Sequence, residues 1–182
     1  MPQPYINFYR GLKPDIANHS HGEIYAADNK WLETTHDWVQ WAFPGTEKSF
    51  FQPHLPLLSY AEIEVFRNDA DIRRRVTEMV FRYTVFLTST EHWRTPNNHN
   101  HLRITRMLKF LWLINMRPAA RQAHRHILSL QPNATAQTLR LWADVVRLTY
   151  SMQPSDSGPL PTGREMDAAA DRYFAHLTRE PK

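Results

Sequence analysis

The sequence predicts an all-α fold: a single compact helical domain over residues 1–182, with about six or seven helices and an irregular amino-terminal segment. Three observations carry this. Apolar residues recur three or four positions apart along most of the chain, the period of a helix with one face turned inward. Helix-start chemistry stands ahead of those runs, at Asp28, Ser59, Asp69, Pro118 and Thr162. No segment alternates apolar and polar residues over enough positions to compete as a strand.

In chain order, residues 1–27 read as irregular, with Tyr5, Phe8, Tyr9 and Tyr25 as aromatic anchors. Asp28 caps a helix expected to run unbroken to about Phe43, with Trp31, Leu32, Thr35, Trp38, Val39 and Ala42 on one arc before Pro44-Gly45 ends it. Ser59-x-x-Glu62 is a capping box that opens a short helix carrying Ile63 and Phe66. Asp69 then caps a longer one with Ile72, Val76, Met79, Val80, Tyr83 and Phe86 inward. Residues 88–98 read as a polar loop, followed by a helix from about His99 to Asn115 with Ile104, Met107, Leu108 and Leu111 inward. Pro118 suits a first helical turn, where its missing N–H costs little, and Ala120, Ala123, Ile127 and Leu128 face the core. The pattern repeats over 133–150 with Leu139, Trp142, Val146 and Tyr150. After a Pro, Ser and Gly-rich loop at 151–161, Thr162-x-x-Glu165 opens a C-terminal helix over 162–178 with Met166, Ala169, Ala170, Tyr173, Phe174 and Leu177 inward.

Composition narrows the function. With no cysteine there is no disulfide framework, thiolate zinc site, iron–sulfur cluster or cysteine nucleophile. Five glycines include neither G-x-G-x-x-G nor a P-loop. No apolar run approaches the roughly 20 residues of a membrane span, and the amino terminus lacks a signal-peptide layout. The expectation is a soluble, cytoplasmic protein. The net charge of +4 is unevenly placed: residues 94–147 hold nine basic residues against Asp144, a net +8, while the remainder, with 13 basic and 17 acidic, is −4. Such a basic face suits an anionic partner.

Ten histidines include three His-x-His pairs, His19/His21, His99/His101 and His124/His126. On a helix such neighbours stand about 200° apart and cannot chelate one ion, so each of the latter two pairs offers at most one ligand. Glu33-x-x-His36 has the spacing of di-iron bundles, but the second such motif and its carboxylates are missing. With Arg103 at 0°, helical geometry places His99 near −40°, Phe110 near −20° and Arg106 near −60°, on a polar side flanking an inward arc centred near +90°. Two arginines one turn apart beside a histidine at a helix start suit a carboxylate or phosphate. Arg117, Arg121, His124 and Arg125 form a second basic stripe, and Glu33, His36 and Gln40 line the border of the Trp31–Phe43 arc.

These residues resemble the conserved domain of the opioid growth factor receptor family. The likeness runs through Phe8-Tyr9-Arg10, Leu32-Glu33-x-Thr35-His36-x-x-x-Gln40-Trp41-x-Phe43-Pro44, Glu62-Ile63-Glu64-x-Phe66-Arg67, Trp93 and His99-Asn100-x-Leu102-Arg103-Ile104-Thr105-Arg106, over about residues 6–150. The resemblance implies a soluble helical domain, not a seven-helix receptor, in the form of the short stand-alone members without the acidic repeat tail. Vertebrate members take their name from an enkephalin-type growth-regulating peptide. The family strings single out His36, Gln40, His99, Asn100, Arg103 and Arg106 as ligand-binding residues that converge on one pocket if their helices pack together.

Three readings compete. The first is a binding module for a peptide, acidic small molecule or protein partner, with Arg103 and Arg106 as anion clamps and nearby Trp or Phe as apolar walls. It expects Arg103→Ala to abolish binding while the fold survives. The second is a small enzyme or cofactor protein in which His36 or His99 is a general base or a metal or haem ligand. The third is nucleic-acid binding through the basic 94–147 stretch, weakened by its scarcity of lysine and the absence of a reader motif.

Overall fold

The computed structural model describes residues 3–49 and 52–147. Among them are nine α-helices, one 3₁₀ turn and no strand. The all-α expectation holds, with more and shorter helices than the periodicity suggested. The expected 162–178 helix, the 151–161 loop and Tyr150 lie outside the described residues.

The amino-terminal segment is irregular only in part, over residues 10–20. It forms α1 (Pro4–Tyr9), with proline in its first turn, and α2 (His21–Ala26), opened by a Ser20/Glu23 capping box. Tyr5, Ile6, Phe8 and Tyr9 are all buried. The α2 helix turns His21 and Ile24 inward and leaves Tyr25 exposed, so Tyr25 is not an anchor. The α5 helix (Tyr60–Asn68) begins at the expected capping box, and its Glu62 also accepts the backbone N–H of Tyr5 at 3.0 Å. One buried carboxylate thus closes the starts of two helices. The α6 helix (Ala70–Ser89), capped by Asp69, is about 30 Å long at 1.5 Å per residue. It packs against α1, α2, α5 and α8. The supposed 88–98 loop contains the last two residues of α6 and a 3₁₀ turn (His92–Arg94) that buries Trp93.

The expected single helix from Asp28 to Phe43 is in fact two, α3 (Asn29–Thr34) and α4 (Trp38–Ala42), with Thr35 in an extended conformation between them. The break is stabilised from a distance. The carbonyl of Leu32 accepts from the Trp38 indole at 3.1 Å and from Arg103 at 2.8 Å; Arg103 also reaches the carbonyls of Glu33 and Thr35. Side chains take the place of the N–H groups that a continuing helix would have brought.

The same device recurs. Arg82 closes the end of α2 on Ala27, Arg106 closes α4 on Phe43, and Arg67 and Arg73 reach Leu113 and Ile114 at the end of α7. Five of the chain's 22 basic residues, Arg67, Arg73, Arg82, Arg103 and Arg106, are therefore used on its own main-chain carbonyls, at the negative ends of helices.

The α7 helix (His99–Leu113) is flanked by α8 (Arg117–Ser129), α9 (Ala136–Arg147) and the 3₁₀ turn. It is buried nearly all round, Asn100, Arg103, Thr105 and Phe110 included. The expected polar side of this helix is thus mostly interior, because the end of α3 packs there. On α8, Ala120, Ala123 and Ile127 are inward, whereas Leu128, 100° further round, is exposed. All these buried apolar side chains belong to one cluster. No helix among the described residues is long and apolar enough to cross a membrane.

Candidate functional site

Four segments meet where α3 ends. Glu33, on the last turn of α3, turns its carboxylate toward the start of α7 and the 3₁₀ turn. Its Oε2 lies 3.0 Å from His92 Nε2 and accepts Asn100 Nδ2 at 3.0 Å, while Oε1 lies 3.3 Å from His99 Nε2. His36, in the turn between α3 and α4, stands with its ring centroid 5.4 Å from that of His99. The two histidines, 63 positions apart in sequence, are side by side. His36 is exposed and His99 and His92 are partly open, so this corner faces solvent.

Beneath it lies a buried polar layer. Asn100 is fully buried and its Oδ1 accepts from Tyr83 at 3.2 Å and from Arg103 at 3.2 Å. Arg103, 5% exposed, stacks its guanidinium 5.6 Å from the Trp38 ring centre and approaches Glu33 at 3.9 Å. A polar layer this deep holds side chains above it in one geometry only if every member is bonded, as these are.

The electrostatics follow. Burial alone would raise the Glu33 carboxyl, but hydrogen bonds from Asn100 and His92 and the nearby imidazoles outweigh it and hold it below the usual carboxylate range. Burial first, and Arg103 second, push the His99 imidazole down. At neutral pH His99 therefore meets Glu33 as a neutral hydrogen-bond donor, and the tautomer that satisfies the contact leaves Nδ1 as an acceptor.

The six residues chosen from sequence thus divide. His36 and His99 form the open corner, with Asn100 and Arg103 as its buried support. Arg103 is not an anion clamp: its donors go to Leu32, Glu33, Thr35 and Asn100, so removing it attacks the fold itself. Gln40, oriented so that its nitrogen donates, reaches the carbonyls of His36 at 3.0 Å and Asp37 at 3.2 Å and steadies the turn that carries His36. Arg106 lies elsewhere. It shares a shallow recess with Gln40, Tyr5 and Gln52, and borders a larger cleft on the outer side of α7.

Glu33 and His92 were not among the chosen residues. Glu33 was visible as a border residue of its helix, but His92 carries no local sequence signal, since only the tertiary fold brings its loop to α3. The other histidines among the described residues are apart from the corner. His101 bonds the Trp93 carbonyl, His126 contacts Thr88, His19 contacts Asp15, and His21 packs against Phe8 and Tyr9. Among the described residues no group of three or more His, Cys, Asp or Glu side chains has the arrangement to hold a metal ion.

No curated protein and no solved structure matches this chain. The conserved region of the opioid growth factor receptor matches residues 4–91. That span contains Glu33, His36 and Gln40 and stops before His92, His99, Asn100, Arg103 and Arg106, so the corner draws on both sides of its boundary. Over residues 4–91, 88 of its 182 residues, the chain is similar to the opioid growth factor receptor conserved region.

Proposed function

We propose that this protein is a binding domain that takes a peptide ligand, with His36 and His99 as the contact residues and Glu33, His92, Asn100, Arg103 and Gln40 as their support. The observation that carries the reading is the His36–His99 pair, 5.4 Å apart, open to solvent and seated on a buried polar layer. A buried hydrogen-bonded network is costly to assemble unless fully satisfied, and here it fixes partly exposed imidazoles that no core requires. Glu33 already balances the local positive charge, so the corner suits a neutral group with a donor and an acceptor. A peptide amide has both. The family description, which names a receptor for a growth factor, points the same way.

The test is selection of short peptides from a display library on the full chain, followed by affinity measurement on His36→Ala and His99→Ala. The expected result is a loss of about tenfold or more on each variant, roughly one to two hydrogen bonds' worth of free energy. Peptides that bind both variants as tightly as the parent would refute the assignment.

A second reading has its own observation. A carboxylate 3.3 Å from His99 Nε2, with Nδ1 left as an acceptor, is the arrangement of a general base. It expects turnover whose rate rises with pH as His99 deprotonates and falls in Glu33→Gln. An unchanged rate in that variant would exclude it.

A further inference from the structure

The cleft on the outer side of α7 is distinct from the histidine corner. One wall is the 44–48 segment that follows α4; the other is the α7 face from Leu102 to Leu113, with Val145 of α9 closing one side. Its volume is about 390 Å³, within the roughly 300–1,000 Å³ range of small-molecule sites. Leu102, Phe110, Trp112, Leu113 and Val145 make the walls apolar. Leu102 is 59% exposed, a large side chain left in water on a helix otherwise buried nearly all round.

Three cations border the same space: Arg106, Lys109 and Lys48. Arg106 is the fixed one. Its guanidinium is half-buried and donates to the Phe43 carbonyl at 3.2 Å, passing beside Gly45. Lys109 is met by the carboxylate of Glu47, 4.0 Å away, and Glu47 itself is 86% exposed and held by nothing else among the described residues. A loose carboxylate from the cleft's own rim thus already stands where a ligand carboxylate would go.

We propose that this cleft binds a small aromatic or aliphatic carboxylate, its body against Trp112, Phe110 and Leu102 and its anionic end at Lys109 and Arg106, displacing Glu47. The complementarity has both parts: apolar walls for the body and a cationic end for the head. The observed Lys109–Glu47 contact favours a carboxylate as the head group. Because that contact is exposed and long, displacing it costs little, which makes Glu47 a weak internal competitor.

The experiment titrates the full chain with indole-3-acetate and, in parallel, with the neutral indole-3-ethanol, by calorimetry at low salt. Indole-3-acetate is expected to bind at least about tenfold more tightly than the alcohol, the advantage shrinking as salt screens the cleft. Glu47→Gln is expected to tighten binding about two- to fivefold and Lys109→Gln to weaken it by a similar factor, the span of an exposed ion pair. Both positions are exposed, so neither variant tests folding. Equal affinity for acid and alcohol, no binding at millimolar concentration, or identical affinities in the parent and both variants would each overturn the proposal. His99→Ala is expected to leave this titration unchanged; a parallel loss there would place the acid at the histidine corner and likewise overturn it.

Discussion

Replacing Arg103 by alanine tests the central claim about how the chain is held. Arg103 is 5% exposed and its guanidinium donates to Leu32 O at 2.8 Å, Thr35 O at 3.0 Å, Asn100 Oδ1 at 3.2 Å and Glu33 O at 3.4 Å. Hydrogen bonds from charged groups contribute about 1.5–3 kcal/mol each. Two of these four are short, and Leu32 O keeps the Trp38 indole as a second donor. Against the loss stands the desolvation of the guanidinium, which the variant no longer bears. Removing one side of a buried charged network has a net cost of about 3–5 kcal/mol. At about 2–4 °C per kcal/mol for a chain of this size, the melting temperature should fall by roughly 6–20 °C. Thermal unfolding followed by far-ultraviolet circular dichroism measures it. Arg103→Lys, which keeps the charge but loses the fork, should fall between the two. If Arg103→Ala melts within about 2 °C of the parent, Arg103 is not the clasp of the α3–α4 break and its placement as a support is wrong.

Other outcomes follow from the same structure. His21, His99, His101, His124 and His126 all have their imidazoles pushed down, chiefly by burial. The unfolded chain therefore takes up protons near pH 6.5 while the folded one does not, so stability is full above about pH 6.5 and declines below it, ahead of any carboxylate effect. The urea midpoint should be lower at about pH 5.5 than at about pH 7.5, and a flat profile would contradict these burials. Ser59→Ala should cost about 1 kcal/mol as a lost helix cap. Glu62→Ala should cost more, about 2–3 kcal/mol, because Tyr5 N also loses its acceptor; equal effects would mean that the bond to Tyr5 contributes nothing. Trp142→Phe removes the indole bond to Thr105 Oγ1 at 2.8 Å and should cost about 1–2 kcal/mol. Its effect should be less than additive with that of Thr105→Val when both are measured in urea.

What could be read from sequence was what is decided locally. Ser59 and Asp69 mark helix starts through bonds to residues two or three positions away, and Pro118 marks one through its fixed φ and missing N–H; each stands where expected. Ser20-x-x-Glu23 has the same signature but opens only six residues, one of them Gly22, and periodicity over so short a run is faint. The break at Thr35 was illegible for another reason: the Thr34–Asp37 run disfavours helix only weakly, and the group that stabilises the break, Arg103, lies 68 residues ahead. Arg103 shows the same limit from the other side. Helical angle placed it on a polar flank, but whether a flank is solvent or interior depends on what packs there. The pairing of His36 with His99 was reached through family strings and not through spacing, and the structure brings the two together.

The arginine clasp has a consequence for the autonomy of the family-matched region. Residues 4–91 include α3 and α4 but not the guanidinium that closes the break between them, nor Phe110, whose ring lies 5.1 Å from that of Phe66. An excised 4–91 fragment would lose the Arg103 donor at the Glu33 and Thr35 carbonyls, leave Leu32 O with the Trp38 indole alone, and carry an aromatic cluster open on one side. Evolutionary boundary and folding boundary therefore do not coincide: the recognisable region depends on the helix beyond it, and limited proteolysis should yield a stable core that retains α7.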